Sequence, residues 1–377
     1  MRRMMLRTVR RSISGGQRFL VPVFGIVLAH IVIGLALYYS LIFGVALGAP
    51  VMPANSFGWA SMSSAWDSNY YRAIAINWYP SSLDPLWAFF PLYPMTVRTL
   101  SFLGLEVRFT AVVVAITCGL GSVIVFQTIT EQYMVRTQAL IATCLYFLFP
   151  PVFVFSFVAY AEPMYLLLAL LAWHFHRKQA EAKASIAAGL CALSRPEAFL
   201  IVIPLLYDYL SNRQFKHVPY VLVPFSAVGA WELYGLAKTG VWLPSYTADT
   251  FWNTPHAQAV RLAIQRLASG NLSSLEILFP YRWLIAATMA AVAIVLLLAW
   301  RNWKIDRALC VYLSGSTIIL ASTLSVAYRS FPRILSFIFP AGLPLHTRKL
   351  NLLVVTIILF LLLDYIAWLA FLTDGFY

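Results

Sequence analysis

Charge is scarce in this chain. Of its 377 residues only 11% are Asp, Glu, Lys or Arg, where a water-soluble domain carries about a quarter. No polar stretch is long enough to build a soluble domain of its own. Cysteine is scarce too: Cys118, Cys144, Cys191 and Cys310 each fall inside an apolar run. None is spaced as a zinc pair and none sits where a disulfide would staple a loop, so they read as small buried hydrophobes. The short motifs of common chemistries are missing. There is no G-x-x-x-x-G-K-[ST] to cradle a nucleotide phosphate, no H-E-x-x-H and no G-x-S-x-G. Without D-x-D, a metal-bound nucleotide-sugar site has no support. No internal repeat is evident, which argues against a transporter of inverted halves.

What the chain has in quantity is apolar length: 61% of its residues are hydrophobic. A bilayer-crossing helix takes about 20 mostly apolar residues. Apolar runs and their Lys/Arg flanks predict an all-α polytopic membrane protein of about eleven transmembrane helices, in one domain. They are expected at 20–44, 109–130, 139–158, 163–176, 184–194, 197–210, 218–237, 283–300, 308–327, 334–345 and 350–370. The fourth, fifth and tenth are short for a full span.

The net charge of +13 does not imply a nucleic-acid partner, because it is sorted by segment. The head 1–18 is basic, and the apolar run after it is too long for a signal-peptide core. With the N-terminus in the cytoplasm, the inner segments hold 17 of the 27 lysines and arginines in a small part of the chain, as the positive-inside rule requires. The C-terminus is then extracytoplasmic, as are two long segments, 45–108 and 238–282. Chemistry on that face has no access to ATP or nucleotide sugars. The expected location is a prokaryotic cell membrane.

The polar marks gather on the outward face. Asp67 follows Trp66, and Asp84 precedes the aromatic-proline run "WAFFPLYPM". Glu162 stands in "YAEP", Arg195 and Glu197 in "SRPE", and Arg329 and Arg333 in "YRSFPR". Ionisable groups at membrane depth are costly and mark function by default. Each has a plainer alternative. Asp67 suits a helix N-cap, and Glu162 before Pro163 suits a helix start. Arg195 and Arg333 suit lipid headgroups, and the aromatic run suits an interfacial belt. Its prolines, Pro91 and Pro94, forbid an ordinary mid-helix there.

Five stretches in order, "WDSNYYRAIAINWYP", "AFFPLYP", "FPPVFVFSFVAYAEPMYLLLAL", "SRPEAFLIVIPLL" and "RSFPRILSFIFP", resemble the PIG-V-like mannosyltransferases. This family includes the GPI second-mannose transferase and belongs to the GT-C class of polytopic glycosyltransferases. Two positions depart from the pattern: Ser68 stands where Gly is usual after Trp-Asp, and Ile334 follows Arg333 where Tyr is frequent.

The resemblance implies a glycosyltransferase that moves a hexose, with mannose expected, from a polyprenyl-phosphate donor to a glycan or glycolipid acceptor on the outward face. It places the acidic role of the first outer loop on Asp67, as general base in an inverting displacement. Arg195 or Arg333 would meet the lipid phosphate, Glu162 would bind sugar hydroxyls or orient an arginine, and Tyr71 and Trp87 would stack on sugar or isoprenoid. No metal or cofactor is expected. A transporter or flippase for lipid-linked sugars is the alternative. Asp208 and Asp364 lack the G-x-G-D that an intramembrane protease would show.

Overall fold

Proline decides where many of the helices begin and end. The computed structural model describes residues 67–249 and 306–322 continuously, with isolated positions at 25, 28, 32, 63 and 251 and within 293–304. The basic head, the spans expected at 334–345 and 350–370, and most of 20–44, 238–282 and 283–300 lie outside the described residues. So do Trp66, Arg329, Arg333 and Asp364. Among the described residues the ordered elements are all helices.

The expected first outer loop is, from residue 67 onward, largely helical. Helix α1 runs Asp67–Asn77 and α2 runs Leu92–Ser101, with a 3-10 turn Pro85–Ala88 between them. Asp84 makes that turn: its Oδ1 accepts the Leu86 N–H at 2.9 Å and Pro85 occupies the first position, where a missing N–H costs nothing. Asp84 is therefore a cap. Arg98 on α2 donates from Nη1 to the carbonyls of Ala75 at 2.9 Å and Ile76 at 2.7 Å. It thereby satisfies the C-terminal end of α1 and ties the two helices together.

Helix α3, Val107–Thr130, opens on Glu106, whose carboxylate accepts the Phe109 N–H at 2.9 Å. At 24 residues it is about 36 Å long. The span expected at 139–158 is two helices, α4 (Arg136–Phe147) and α5 (Pro150–Phe155). The paired prolines Pro150 and Pro151 explain the break, because a residue before proline is pushed out of the helical region. Helices α6 (Glu162–Arg177) and α7 (Glu181–Ala192) form a hairpin. A 3-10 turn, Pro196–Ile201, leads into α8 (Val202–Ser211), and a second, Phe215–Val221, runs into α9 (Leu222–Thr239). Helix α9 stops at Gly240, whose φ of 70° is the left-handed conformation that suits glycine. Then come α10 (Pro244–Asp249) and α11 (Arg307–Ser322).

Two of the described helices are long and apolar enough to cross a membrane, Val107–Thr130 and Phe215–Thr239. Helices α6 and α7, with 16 and 12 residues, reach only about 24 and 18 Å, short of a hydrocarbon core of about 30 Å.

The aromatic-proline run is core rather than an interfacial belt. Trp87 and Tyr93 are 0% exposed, and Phe89, Phe90 and Leu92 are buried. Trp87 lies 4.8 Å from the Tyr79 ring and 5.3 Å from the Trp231 ring, centroid to centroid. Its indole N–H donates to the Ser82 carbonyl at 3.2 Å, and Tyr93 donates its hydroxyl to the Ala111 carbonyl at 2.8 Å. Gly235 on α9 lets this packing close. A Cβ there would clash with Pro244 Cγ and come within 3.0 Å of Trp87 Cζ3.

At the other end of the α6–α7 hairpin a polar network joins four elements. His176 places both ring nitrogens 3.0 Å from carboxylate oxygens, Nδ1 on Glu181 and Nε2 on Asp208. A neutral imidazole carries one N–H, so only the imidazolium donates to both. Tyr209 donates to Glu181. Arg177 bridges Asp208 at 3.7 Å and Asp306 at 3.5 Å, and Tyr133 donates to Asp306 at 2.7 Å.

Gly235→Ala is expected to destabilise the fold by about 1–3 kcal/mol through overpacking. The thermal unfolding midpoint in detergent should fall, and an unchanged midpoint would show that Trp87 and Pro244 can yield.

Candidate active site

Asp67, Glu162 and Arg195 come from three separate elements. Glu162 opens α6, where a carboxylate is favoured by the helix dipole, and is 0% exposed. Pro196 drives Arg195 out of the helical region into extended backbone, φ −161° and ψ 152°, so α7 cannot continue. The Arg195 side chain, 5% exposed, forms an ion pair through Nη1 with Glu162. Its Nε lies 3.4 Å from Glu197, which is 28% exposed and stands at the solvent side of the group.

Asp67 is delivered by α1. Its backbone N–H donates to the Tyr160 hydroxyl at 3.2 Å, two residues before Glu162. Tyr71, one turn along α1, is 5% exposed. Its ring meets Tyr93 at 5.0 Å, Phe89 at 5.1 Å and Tyr160 at 6.4 Å, each edge-on, a favourable aromatic geometry. A second tie fixes the same junction: the Leu92 N–H donates to the Leu193 carbonyl at 3.0 Å. The aromatic-proline run is thus bonded to the turn that carries Arg195.

Burial opposes a charge on Arg195. Glu162 and then Glu197 more than offset it, with Tyr71 and Asp67 also within electrostatic reach, and the guanidinium is held charged well above its usual range. Asp67 itself is half-buried and is the carboxylate of α1's first turn. The group therefore combines a buried cation, a buried carboxylate clamped to it, and two carboxylates reachable from outside.

The structure brings Asp67, Glu162, Arg195 and Tyr71 together. It places Trp87 in the aromatic core formed with Tyr79, Trp231 and Tyr234. Arg333 lies outside the described residues. Sequence reasoning missed Tyr160, although it stands inside "YAEP"; its only signal was adjacency to Glu162. Among the described residues, no group of three or more His, Cys, Asp or Glu side chains is arranged to hold a metal ion.

No family model matches the sequence, and no curated protein matches it. Among solved structures the chain is similar to ArnT from Cupriavidus metallidurans in the apo state, at 14% identity and a TM-score of 0.41, over 93% of this chain and 78% of that one. A likeness of that extent leaves family and activity to be argued from the site itself.

Glu162→Gln is expected to cost about 3–5 kcal/mol, because it leaves a buried guanidinium without its counter-charge. Glu162→Leu combined with Arg195→Met should recover most of that stability. Comparing unfolding midpoints tests this, and equal loss in single and double variants would show that the pair is not the interaction at stake.

Proposed function

We propose that this chain is a GT-C type glycosyltransferase that moves a hexose, in the first instance mannose, from a polyprenyl phosphate to a hydroxyl of a glycan or glycolipid. The reading rests on one observation: α1 meets the wall that holds the buried Glu162–Arg195 pair through the Asp67 N–H bond to Tyr160 and the Tyr71 ring against the Tyr160 ring. A reachable carboxylate beside a fixed, buried charge pair suits a base that must hold one position through the reaction.

The chemistry is a direct displacement with inversion. The acceptor oxygen attacks the anomeric carbon, and its proton passes to the Asp67 carboxylate. The bond from that carbon to the phosphate oxygen breaks, and the polyprenyl phosphate leaves with the electron pair. A phosphate anion is a good leaving group without a proton, so the step as written needs no acid and no cofactor. It needs cationic stabilisation of the departing charge.

Arg195 is less suited to that task than its charge suggests, because its Nη1 and Nε edges face Glu162 and Glu197. In this proposal Arg195 orders the carboxylates and acts through them, Glu162 clamps it, and Arg333 supplies the bidentate phosphate contact for which an arginine fork is shaped. Tyr71 walls the substrate side of α1, and Trp87 supports that wall from the core. The expected topology agrees with a lipid-borne donor, since the two long outward segments face a compartment without nucleotide sugars.

Asp67→Asn should lower transfer by about 10²–10⁴-fold, the usual contribution of a positioned base, with little change in stability. Incorporation of radiolabel from polyprenyl-phosphate mannose, in membranes with equal amounts of wild type and variant, measures this. Transfer at the wild-type rate would reduce Asp67 to a helix-start residue.

A further inference from the structure

Ser68, the neighbour of Asp67, is 0% exposed, yet its Oγ has no hydrogen-bond partner among the described residues. A buried hydroxyl without a partner carries its full desolvation cost. Other helical hydroxyls avoid that cost by donating to a carbonyl one turn back: Thr96 to Leu92 at 2.8 Å and Thr110 to Glu106 at 2.9 Å. Ser68 stands in the first turn of α1 as described, Asp67–Asn77.

The direction of the side chain follows from the helix. Ser68, Tyr71, Ile74 and Ala75 form the buried face of α1, and residues three and seven apart share one face. On that face Tyr71 meets the Tyr160 ring and lies within electrostatic reach of Arg195. The same Tyr160 hydroxyl accepts the Asp67 N–H. The unpartnered hydroxyl therefore belongs to the side of α1 that meets the wall of the proposed site, one residue from the proposed base.

We propose that Ser68 is a substrate-contact residue, whose hydroxyl bonds a hydroxyl of the bound sugar and is satisfied only in that complex. This rests on the reading of Asp67 as base. Because Ser68 is enclosed, the contact forms as the side chains packed over it make room for the sugar, while the bond from Asp67 N–H to Tyr160 keeps α1 in place. A site built to hydrogen-bond a substrate hydroxyl discriminates against analogues lacking it far better than an apolar pocket does, so Ser68 would contribute to selectivity as well as rate.

Ser68→Ala separates this role from a structural one, because the two predict opposite pairs of results. The full-length protein in detergent is compared with wild type for unfolding midpoint and for kcat/KM with polyprenyl-phosphate mannose. The expected result is a midpoint raised by about 2–4 °C, since an unsatisfied group has been removed, together with kcat/KM lowered about tenfold. A lowered midpoint with lowered activity would overturn the proposal by showing a structural hydrogen bond. Unchanged kcat/KM would overturn it too, while leaving the base assignment intact if Asp67→Asn is inactive. Failure of the wild type to transfer would instead sink the transferase reading, and this inference with it.

Discussion

The buried ion pair between Glu162 and Arg195 is the constraint on which the site depends. Taking two charges out of water is costly, and the cost is met only if each finds the other in good geometry. Both residues are nearly inaccessible, so neither can trade its partner for solvent. Each of their elements must therefore end where it does. Helix α6 has to begin at Glu162, and α7 has to stop before Arg195 and hand the chain to Pro196 in an extended conformation. What docks on this pair inherits its rigidity: Tyr160 receives α1, and Leu193 receives α2.

The same two helices carry a second fixed point. From Glu162 to His176 is about 21 Å along α6, and there His176, Glu181 and Asp208 lock the hairpin again. Arg177 and Tyr133 extend that lock to Asp306 at the start of α11. A hairpin pinned at both ends by charge, with aromatic and aliphatic packing between, is a stiff support. Precision at a reacting centre comes from such support more than from the reacting side chains themselves.

Much of this was legible in the sequence because charge is so rare in it. Asp67, Glu162 and Arg195 stood out against apolar surroundings, and their gathering at one place is what the structure finds. Proline was legible too, although Pro150 and Pro151 divide α4 from α5 within what the apolar run predicts as one span. Contacts between residues far apart in the chain were not legible. The aromatic-proline run is identical, letter for letter, whether it faces lipid or core. Trp231, Tyr234 and Gly235, well over a hundred residues later, help to make Trp87 core. His176 and Asp208 likewise gave no spacing signal, because they meet across the bundle and not along a helix.

The most direct test of the central claim concerns the donor. Purified wild-type protein in vesicles would be given radiolabelled mannose in two forms, as polyprenyl-phosphate mannose and as a nucleotide sugar, with lipid-extracted acceptor present. A site built around Asp67 and a fixed charge pair, without a metal-binding D-x-D, should pass label to the acceptor from the lipid donor alone. Label arriving from the nucleotide sugar, with none from the lipid, would contradict it.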